Sequence, residues 1–220
     1  MAIQDGVMWT RNYQKAIELQ DVVDTYRLCG EPEENIAHLI ASCKRLLGSV
    51  IKQRHDDCAR AIYIKACWGL DYLRNNTDGG KDKLYNENEE WMILLDHSFS
   101  TDRSLEHTRQ DLVFENKWTR EGTIVEKWIS LDQNLKKKLE EKRTKYVKMA
   151  MELSKLHGWQ RWKIVPIVAG VTGIFGKSLK NELRKISELW EQSSRQLLLE
   201  MQKIIIYSSV NIMRHVLNSD

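Results

Sequence analysis

One stretch in the second half of the chain changes its hydrophobic pattern from a strand period to a helical period and back again. The segments 111–115 and 122–129 flank a turn-forming sequence at 117–121, which predicts a β-hairpin. Residues 135–157 follow with an amphipathic helical pattern, and the β-branched run 163–169 predicts a buried strand. A strand, a helix and a second strand in this order favour a right-handed crossover between parallel strands. The expected fold class is therefore α+β or α/β, with a small mixed sheet flanked by helices.

Two acidic residues lie at equal distances from the middle of the predicted hairpin turn. A register centred between Trp118 and Thr119 pairs Asp111 with Glu126. Their Cβ atoms are then expected about 5 Å apart on one face of the sheet, where two like charges destabilise each other unless a cation compensates them. Mg²⁺ is the usual partner of such hard carboxylate oxygens. The pair therefore predicts a magnesium site.

A lysine occupies the core-facing stripe of the predicted helix 135–157. The stripe consists of Leu135, Leu139, Lys142, Tyr146, Met149, Leu153 and Leu156, while Lys138 is assigned to the opposite, solvated face. A cation on a core-facing stripe costs desolvation energy unless it faces fixed negative charge, which Asp111 and Glu126 would supply. Two acids, a metal ion and a lysine form a constellation for phosphodiester hydrolysis. The metal polarises the phosphate, and the lysine orients water or stabilises developing charge.

The same residues allow a purely structural interpretation. Glu126 is then one acid on the solvent face of a strand, with Lys127 and Lys117 as its partners. Lys142 extends its aliphatic stem over the core, so that its ammonium group reaches water. Spacing alone leaves both interpretations open.

The first third of the chain is predicted to be helical. Helices are expected over residues 10–25, 32–47 and 49–68, and the second opens with a proline that suits a first helical turn. A stretch rich in Asn, Asp and Gly follows these helices. It predicts a boundary between a helical region, 1–74, and a second domain, 81–220.

Four residues of the helical region have side chains that bind zinc in other proteins. Eight residues separate Cys29 from His38, four separate His38 from Cys43, and His55 comes twelve positions after Cys43. Thiolate and imidazole ligands of this kind suit tetrahedral Zn²⁺. Cys43 also lies on the apolar side of its predicted helix, where a free cysteine serves as a small hydrophobe. Both interpretations are open at this point.

Charge and cysteine content exclude few classes of function. The chain has 34 basic and 31 acidic residues, and its four cysteines are unevenly spaced, which does not indicate a disulfide framework. We find no signal-peptide pattern and no apolar run near the roughly 18 residues of a membrane span. We therefore expect an intracellular, soluble protein with no membrane partner.

Several strings along the chain, taken in order, resemble the C-terminal part of non-LTR retrotransposon polyproteins that carry a restriction-like endonuclease. The strings are TRNYQKAI, YRLCGEPEENIAHLIASC, RHDDCARAIY, STDRSLEHTRQDLV, TIVEKWI, EEKRTKYVKMAMEL, KIVPIVAGVTGIFGKSL and MQKIIIYSSVNIMRHVL. The resemblance covers nearly the whole chain in unbroken order. In that family, the segment similar to 26–43 is a zinc knuckle. The segment similar to 109–146 is a nuclease of the P-D…D/E-x-K superfamily.

The resemblance implies a role for each residue of the nuclease pattern. It places the metal-binding acids at Asp111 and Glu126 and takes the lysine from the following helix, at Lys142, with Lys145 and Tyr146 completing the pattern. The implied activity is Mg²⁺-dependent cleavage of target DNA, the first step of target-primed retrotransposition. The resemblance thus implies a nuclear location for a chain that acts on DNA. The resemblance further implies element RNA and a separate reverse transcriptase as partners, since this chain carries no reverse transcriptase segment.

Several positions depart from the pattern. Tyr26 replaces the first knuckle cysteine, Gln110 replaces the proline before the first acid, and Trp128 stands where the superfamily usually has its strand lysine. Asn116 and Ser130 replace an expected acid and an expected proline. One alternative is therefore a catalytically inactive nucleic-acid-binding remnant of the same element. A purely helical interaction protein, which would have no sheet, is another.

Overall fold

The chain folds into a helical N-terminal region followed by a five-stranded mixed sheet flanked by helices, which confirms the predicted fold class. The computed structural model describes residues 8–18, 22–23, 25–69, 85–99, 109–156, 158, 161–184, 186 and 194–218. The helices are α1 (Arg11–Glu18), α2 (Ile36–Ala41), α3 (Lys44–Leu46), α4 (Lys52–Gly69), α5 (Leu135–Leu156), α6 (Leu179–Arg184) and α7 (Ser194–Leu217). The strands are β1 (Tyr85–Glu87), β2 (Trp91–Ser98), β3 (Arg109–Asn116), β4 (Glu121–Ser130) and β5 (Arg161–Gly170).

The central strands form the predicted hairpin in the predicted register. The strands lie in the order β1-β2-β3-β4-β5 and are antiparallel from β1 to β4. Leu112 pairs with Val125, as a register centred on the middle of the turn requires. The Asn116 side chain stabilises this turn by accepting hydrogen bonds from the N–H groups of Trp118 at 3.0 Å and Thr119 at 2.8 Å. Asn116 thus has a structural role in the hairpin turn.

Helix α5 connects β4 to β5 as the predicted crossover. The two strands run parallel along their whole length, from the pairing of Glu121 with Arg161 to that of Ser130 with Gly170. Helix α5 covers one face of the sheet because its apolar stripe is buried there. The buried residues of this face are Leu94, Phe99, Val113, Ile124, Tyr146, Met149, Ala150 and Leu153.

Helices α4 and α7 cover the opposite face of the sheet. Cys58 and Ile62 of α4 belong to one hydrophobic cluster with Leu112 of β3, Val165 of β5 and Leu197 of α7. The predicted domain boundary, between residues 74 and 81, lies outside the described residues. The helix that precedes this boundary nevertheless packs against the sheet that follows it.

The second predicted helix begins later than expected. Helix α2 starts at Ile36, because Asn35 caps it by accepting a hydrogen bond from the N–H of His38 at 2.9 Å. Glu33 has a φ of 61°, which a right-handed helix excludes. A π-helical turn, Leu47–Ile51, then joins α3 to α4.

A buried arginine fixes the start of α4. The guanidinium of Arg54 donates hydrogen bonds to the carbonyl of Ile40 and to Ser209 Oγ, both at 2.8 Å, and Ser209 in turn donates to the carbonyl of Val171. Burial lowers the pKa of Arg54 to about 10, so the group stays charged at neutral pH. These bonds anchor the turn of α4 from which the next residue, His55, projects.

Candidate active site

The two central strands of the sheet separate at one end. Pairing between β3 and β4 extends as far as Leu112 and Val125. Beyond that point β3 continues beside β2, as far as Arg109, while β4 continues beside β5, from Glu126 onwards. The sheet therefore opens into a fork, bounded by the strand segment before Leu112 on one side and the segment after Val125 on the other.

Asp111 and Glu126 lie at this fork. The N–H of Asp111 donates a hydrogen bond to Glu126 Oε1 at 3.3 Å, and the N–H of Lys127 donates to Asp111 Oδ2 at 2.8 Å. Each carboxylate thus accepts from a backbone donor that the interrupted strand pairing leaves free. This exchange brings together the two acids that the hairpin register pairs, at the place where both side chains can face an additional ligand.

Helix α5 places a lysine and a tyrosine on Glu126. Lys142 Nζ is 3.2 Å from Glu126 Oε2, and the side chains of this ion pair are 11% and 3% exposed. The hydroxyl of Tyr146 also hydrogen-bonds Glu126. The Lys142 ammonium lies 4.8 Å from the ring centroid of Trp128, and Lys145 Nζ lies 5.0 Å from that of Tyr146. The structure therefore brings together all five residues of the predicted catalytic set, with Lys145 at its margin.

Trp128, on strand β4, helps to hold the buried lysine of helix α5. The Trp128 ring provides a face for the Lys142 ammonium, a cation–π arrangement that favours a desolvated cation. Lys138, which we assigned to the opposite face of the helix, also lies over this ring at 5.7 Å. It does so because it precedes Lys142 by one helical turn, so the assignment of Lys138 is wrong.

Two further residues at the fork have roles that the sequence interpretation missed. Lys127 is only 2% exposed, and its Nζ lies 2.8 Å from His55 Nδ1 and 3.9 Å from Asp111 Oδ1. His55 Nε2 lies 3.6 Å from Asp111 Oδ2. The structural alternative made Lys127 a partner of a solvent-facing Glu126, whereas both residues are buried, and His55 was grouped with the candidate zinc ligands. The available signal was that apolar residues flank the Glu126–Lys127 pair on both sides, which is typical of a strand buried on both faces.

The two acids have opposite pKa shifts. Burial alone would raise the pKa of Asp111, but the hydrogen bond from His55 and the charge of Lys127 outweigh it and lower that pKa to about 2. Burial raises the pKa of Glu126, and the negative charge of Asp111 raises it further by a smaller amount. Burial also raises the pKa of Tyr146, which keeps its hydroxyl a hydrogen-bond donor. One acid is therefore firmly ionised, while the other accepts a proton more readily than an ordinary glutamate.

The donor atoms at the fork suit a hard divalent ion. Asp111 Oδ2 and Glu126 Oε1 accept backbone hydrogen bonds, which leaves Asp111 Oδ1 and Glu126 Oε2 directed at ammonium groups. Carboxylate oxygens are hard ligands of the kind that Mg²⁺ takes in proteins. The two acids therefore fit the expected metal, which would meet lysines already close to both carboxylates.

A second cluster lies in the N-terminal region. The donor atoms of Cys29, His38 and Cys43 all lie within 4.8 Å of one another, with Cys29 Sγ 3.3 Å from His38 Nε2. Burial raises the pKa of Cys43 and lowers that of His38. Tyr26 stacks on the His38 ring with 3.6 Å between centroids, and its hydroxyl accepts a hydrogen bond from the N–H of Asn35. The cluster supplies three of the four ligands that structural zinc requires.

A search of protein-family models finds no match to this chain, and a search of curated proteins finds no relative. The functional interpretation therefore depends on the geometry of the fork and on the motifs quoted above.

Within the described residues, no helix is both long enough and apolar enough to cross a bilayer.

Proposed function

We propose that this chain is a restriction-like endonuclease domain derived from a non-LTR retrotransposon, which cleaves phosphodiester bonds of target DNA with Mg²⁺. The observation that carries the proposal is the convergence of Asp111, Glu126 and Lys142 at the fork of the sheet. The five-stranded sheet that presents them is incompatible with the purely helical interaction protein considered above.

Each residue of the centre has a distinct chemical role in this proposal. Asp111 and Glu126 would hold Mg²⁺, which when bound polarises the phosphate and lowers the pKa of a coordinated water. Lys142 orients the attacking water or stabilises charge that develops on the phosphate. Tyr146 fixes Glu126 through its hydroxyl, while Lys145, at the margin of the centre, contacts the substrate backbone.

DNA fits the charge distribution around the centre. On helix α5, Lys138 and Lys145 lie one turn before and one turn after the buried Lys142, and both are partly exposed. Such side chains bind phosphates without reading base sequence. The family resemblance extends the proposal to the first cleavage of target-primed retrotransposition in the nucleus. Element RNA and a separate reverse transcriptase would then be further partners.

A second candidate is an inactive nucleic-acid-binding remnant of the same element. The observation that favours it is the pairing of each acid with its own lysine, Asp111 with Lys127 and Glu126 with Lys142. In this alternative the charges at the fork compensate each other and serve only to stabilise the fold.

A nicking assay on supercoiled plasmid separates the two candidates. The wild-type chain should convert the plasmid to open circles in Mg²⁺ and should lose this activity in EDTA. Asp111→Ala should abolish nicking. Glu121→Ala is the matched control, because Glu121 lies at the other end of β4, where it pairs with Lys163. Absence of nicking by the wild type would favour the remnant, and equal nicking by Asp111→Ala would exclude this centre as the nuclease.

A further inference from the structure

The fork contains a second buried ammonium group in addition to Lys142. Lys127 and Glu126 are consecutive on β4, so their side chains leave opposite faces of the strand. Lys127 reaches Asp111 from the side of α4, whereas Lys142 reaches Glu126 from the side of α5. Two carboxylates and two ammonium groups make the cluster formally neutral before any metal binds.

The N-terminal region holds Lys127 in this position. Its ammonium donates a hydrogen bond to His55 Nδ1 at 2.8 Å, and the other ring nitrogen of His55 faces Asp111 at 3.6 Å. Lys127 Nζ also lies 3.2 Å from Nε2, and Asp56 Oδ1 lies 3.1 Å from Nδ1, so a carboxylate of α4 flanks the same ring. The histidine is itself on a helix anchored by Arg54. Lys127 therefore cannot leave Asp111 without also leaving its acceptor on α4.

We propose that Lys127, held by His55, is a resident cation of the acidic centre and competes with the divalent metal for Asp111. The inference deepens the proposed function, since it concerns how the same two acids would take up their metal. The ammonium group faces Asp111 Oδ1, one of the two carboxylate oxygens directed at cations. A metal ion and an ammonium at one carboxylate carry like charges, so the binding of one weakens that of the other.

Calorimetric titration with MnCl₂ and MgCl₂, without DNA, tests this competition. Lys127→Met keeps the length and apolar stem of the buried side chain and removes its charge. It should bind both metals at least about tenfold more tightly than the wild type, the size of effect that one neighbouring charge has on a carboxylate. His55→Ala removes the acceptor that holds the ammonium and should also tighten binding, by a smaller factor. Lys163→Met, on the neighbouring strand, is the matched control and should leave the affinity unchanged.

Metal affinity in Lys127→Met that is equal to or weaker than that of the wild type would overturn the inference. If thermal unfolding shows that Lys127→Met is not folded, His55→Ala decides: tighter binding supports the competition and unchanged binding overturns it. The result is distinguishable from a failure of the nuclease proposal. If Lys127→Met binds metal more tightly but the wild type never nicks DNA, the nuclease proposal is wrong and the competition is supported. If the wild type nicks DNA but Lys127→Met has an unchanged metal affinity, the nuclease proposal is supported and the competition is wrong.

Discussion

The two acids at the fork should respond in opposite ways when each is replaced by its amide. Asp111→Asn removes a carboxylate that His55 and Lys127 stabilise in its ionised form. Glu126→Gln replaces a carboxylate whose ionised form is disfavoured by burial and by its neighbour. We therefore expect Asp111→Asn to lower the free energy of unfolding at pH 7, and Glu126→Gln to leave it unchanged or raise it.

The size of the Asp111 effect follows from its pKa. The folded-state pKa is about 2 against an ordinary value of 3.8, and the side chain is only 18% exposed. A depression of this size contributes about 2 kcal/mol at neutral pH, equivalent to about 4–8 °C in Tm for a chain of this length. Because the folded pKa is depressed, the contribution is present above pH 3.8 and is lost as the pH falls through about 2. The difference in free energy of unfolding between the wild type and Asp111→Asn should therefore disappear over that pH range.

Urea unfolding followed by tryptophan fluorescence, at pH 7 and at several values down to pH 2, measures both effects. Equal stability of wild type and Asp111→Asn at pH 7 would refute the assignment of Asp111 as the firmly ionised acid. If Glu126→Gln lowers the free energy of unfolding as much as Asp111→Asn does, the assignment would also be refuted, because the two carboxylates would then be equivalent.

Three further outcomes follow from other parts of the chain. The purified protein should retain no stoichiometric zinc after mild chelation, and Tyr26→Cys should raise zinc affinity by supplying a fourth ligand; one chelation-resistant zinc in the wild type would contradict this. Burial raises the pKa of Glu115 to about 7, so its contribution to stability is present below pH 4.5 and lost as the pH rises through 7. The free energy of unfolding of Glu115→Gln should therefore be about 3 kcal/mol higher than that of the wild type at pH 8, measured by urea unfolding. A difference between the two proteins that does not grow with pH would argue against this. DNA affinity measured by anisotropy should fall steeply between roughly 50 and 200 mM salt and vary little with sequence, whereas a flat salt response would exclude phosphate binding.

The parts of the fold that depend on local periodicity were predictable. Alternation on both sides of a short turn determines the pairing of β3 with β4, so the register that brings Asp111 to Glu126 is confirmed. The position of Lys142 on the buried stripe of α5 follows from the helical repeat in the same way. Both features result from contacts between segments that are close in sequence or joined by a single crossover.

Contacts between distant segments were not predictable from such patterns. His55 and Lys127 are 72 positions apart, and they meet because α4 packs across the face of the sheet opposite α5. No periodicity in either segment specifies that packing, so the histidine was grouped with the nearby cysteines instead. The start of α2 was placed too early because the proline signal at residue 32 ignores the left-handed backbone at Glu33.

The central claim is that Lys142 acts with the two acids as one DNA-cleaving centre, and a paired measurement of cleavage and binding tests it most directly. Plasmid nicking in Mg²⁺ and equilibrium DNA binding should be measured on the same samples of wild type, Lys142→Met and Lys155→Met. Lys155 is the control, since it lies in the last turn of the same helix and pairs with Glu152. We predict that Lys142→Met loses at least about 100-fold in nicking rate while binding DNA within about twofold of the wild type, and that Lys155→Met keeps both activities. Wild-type nicking by a folded Lys142→Met would contradict the account.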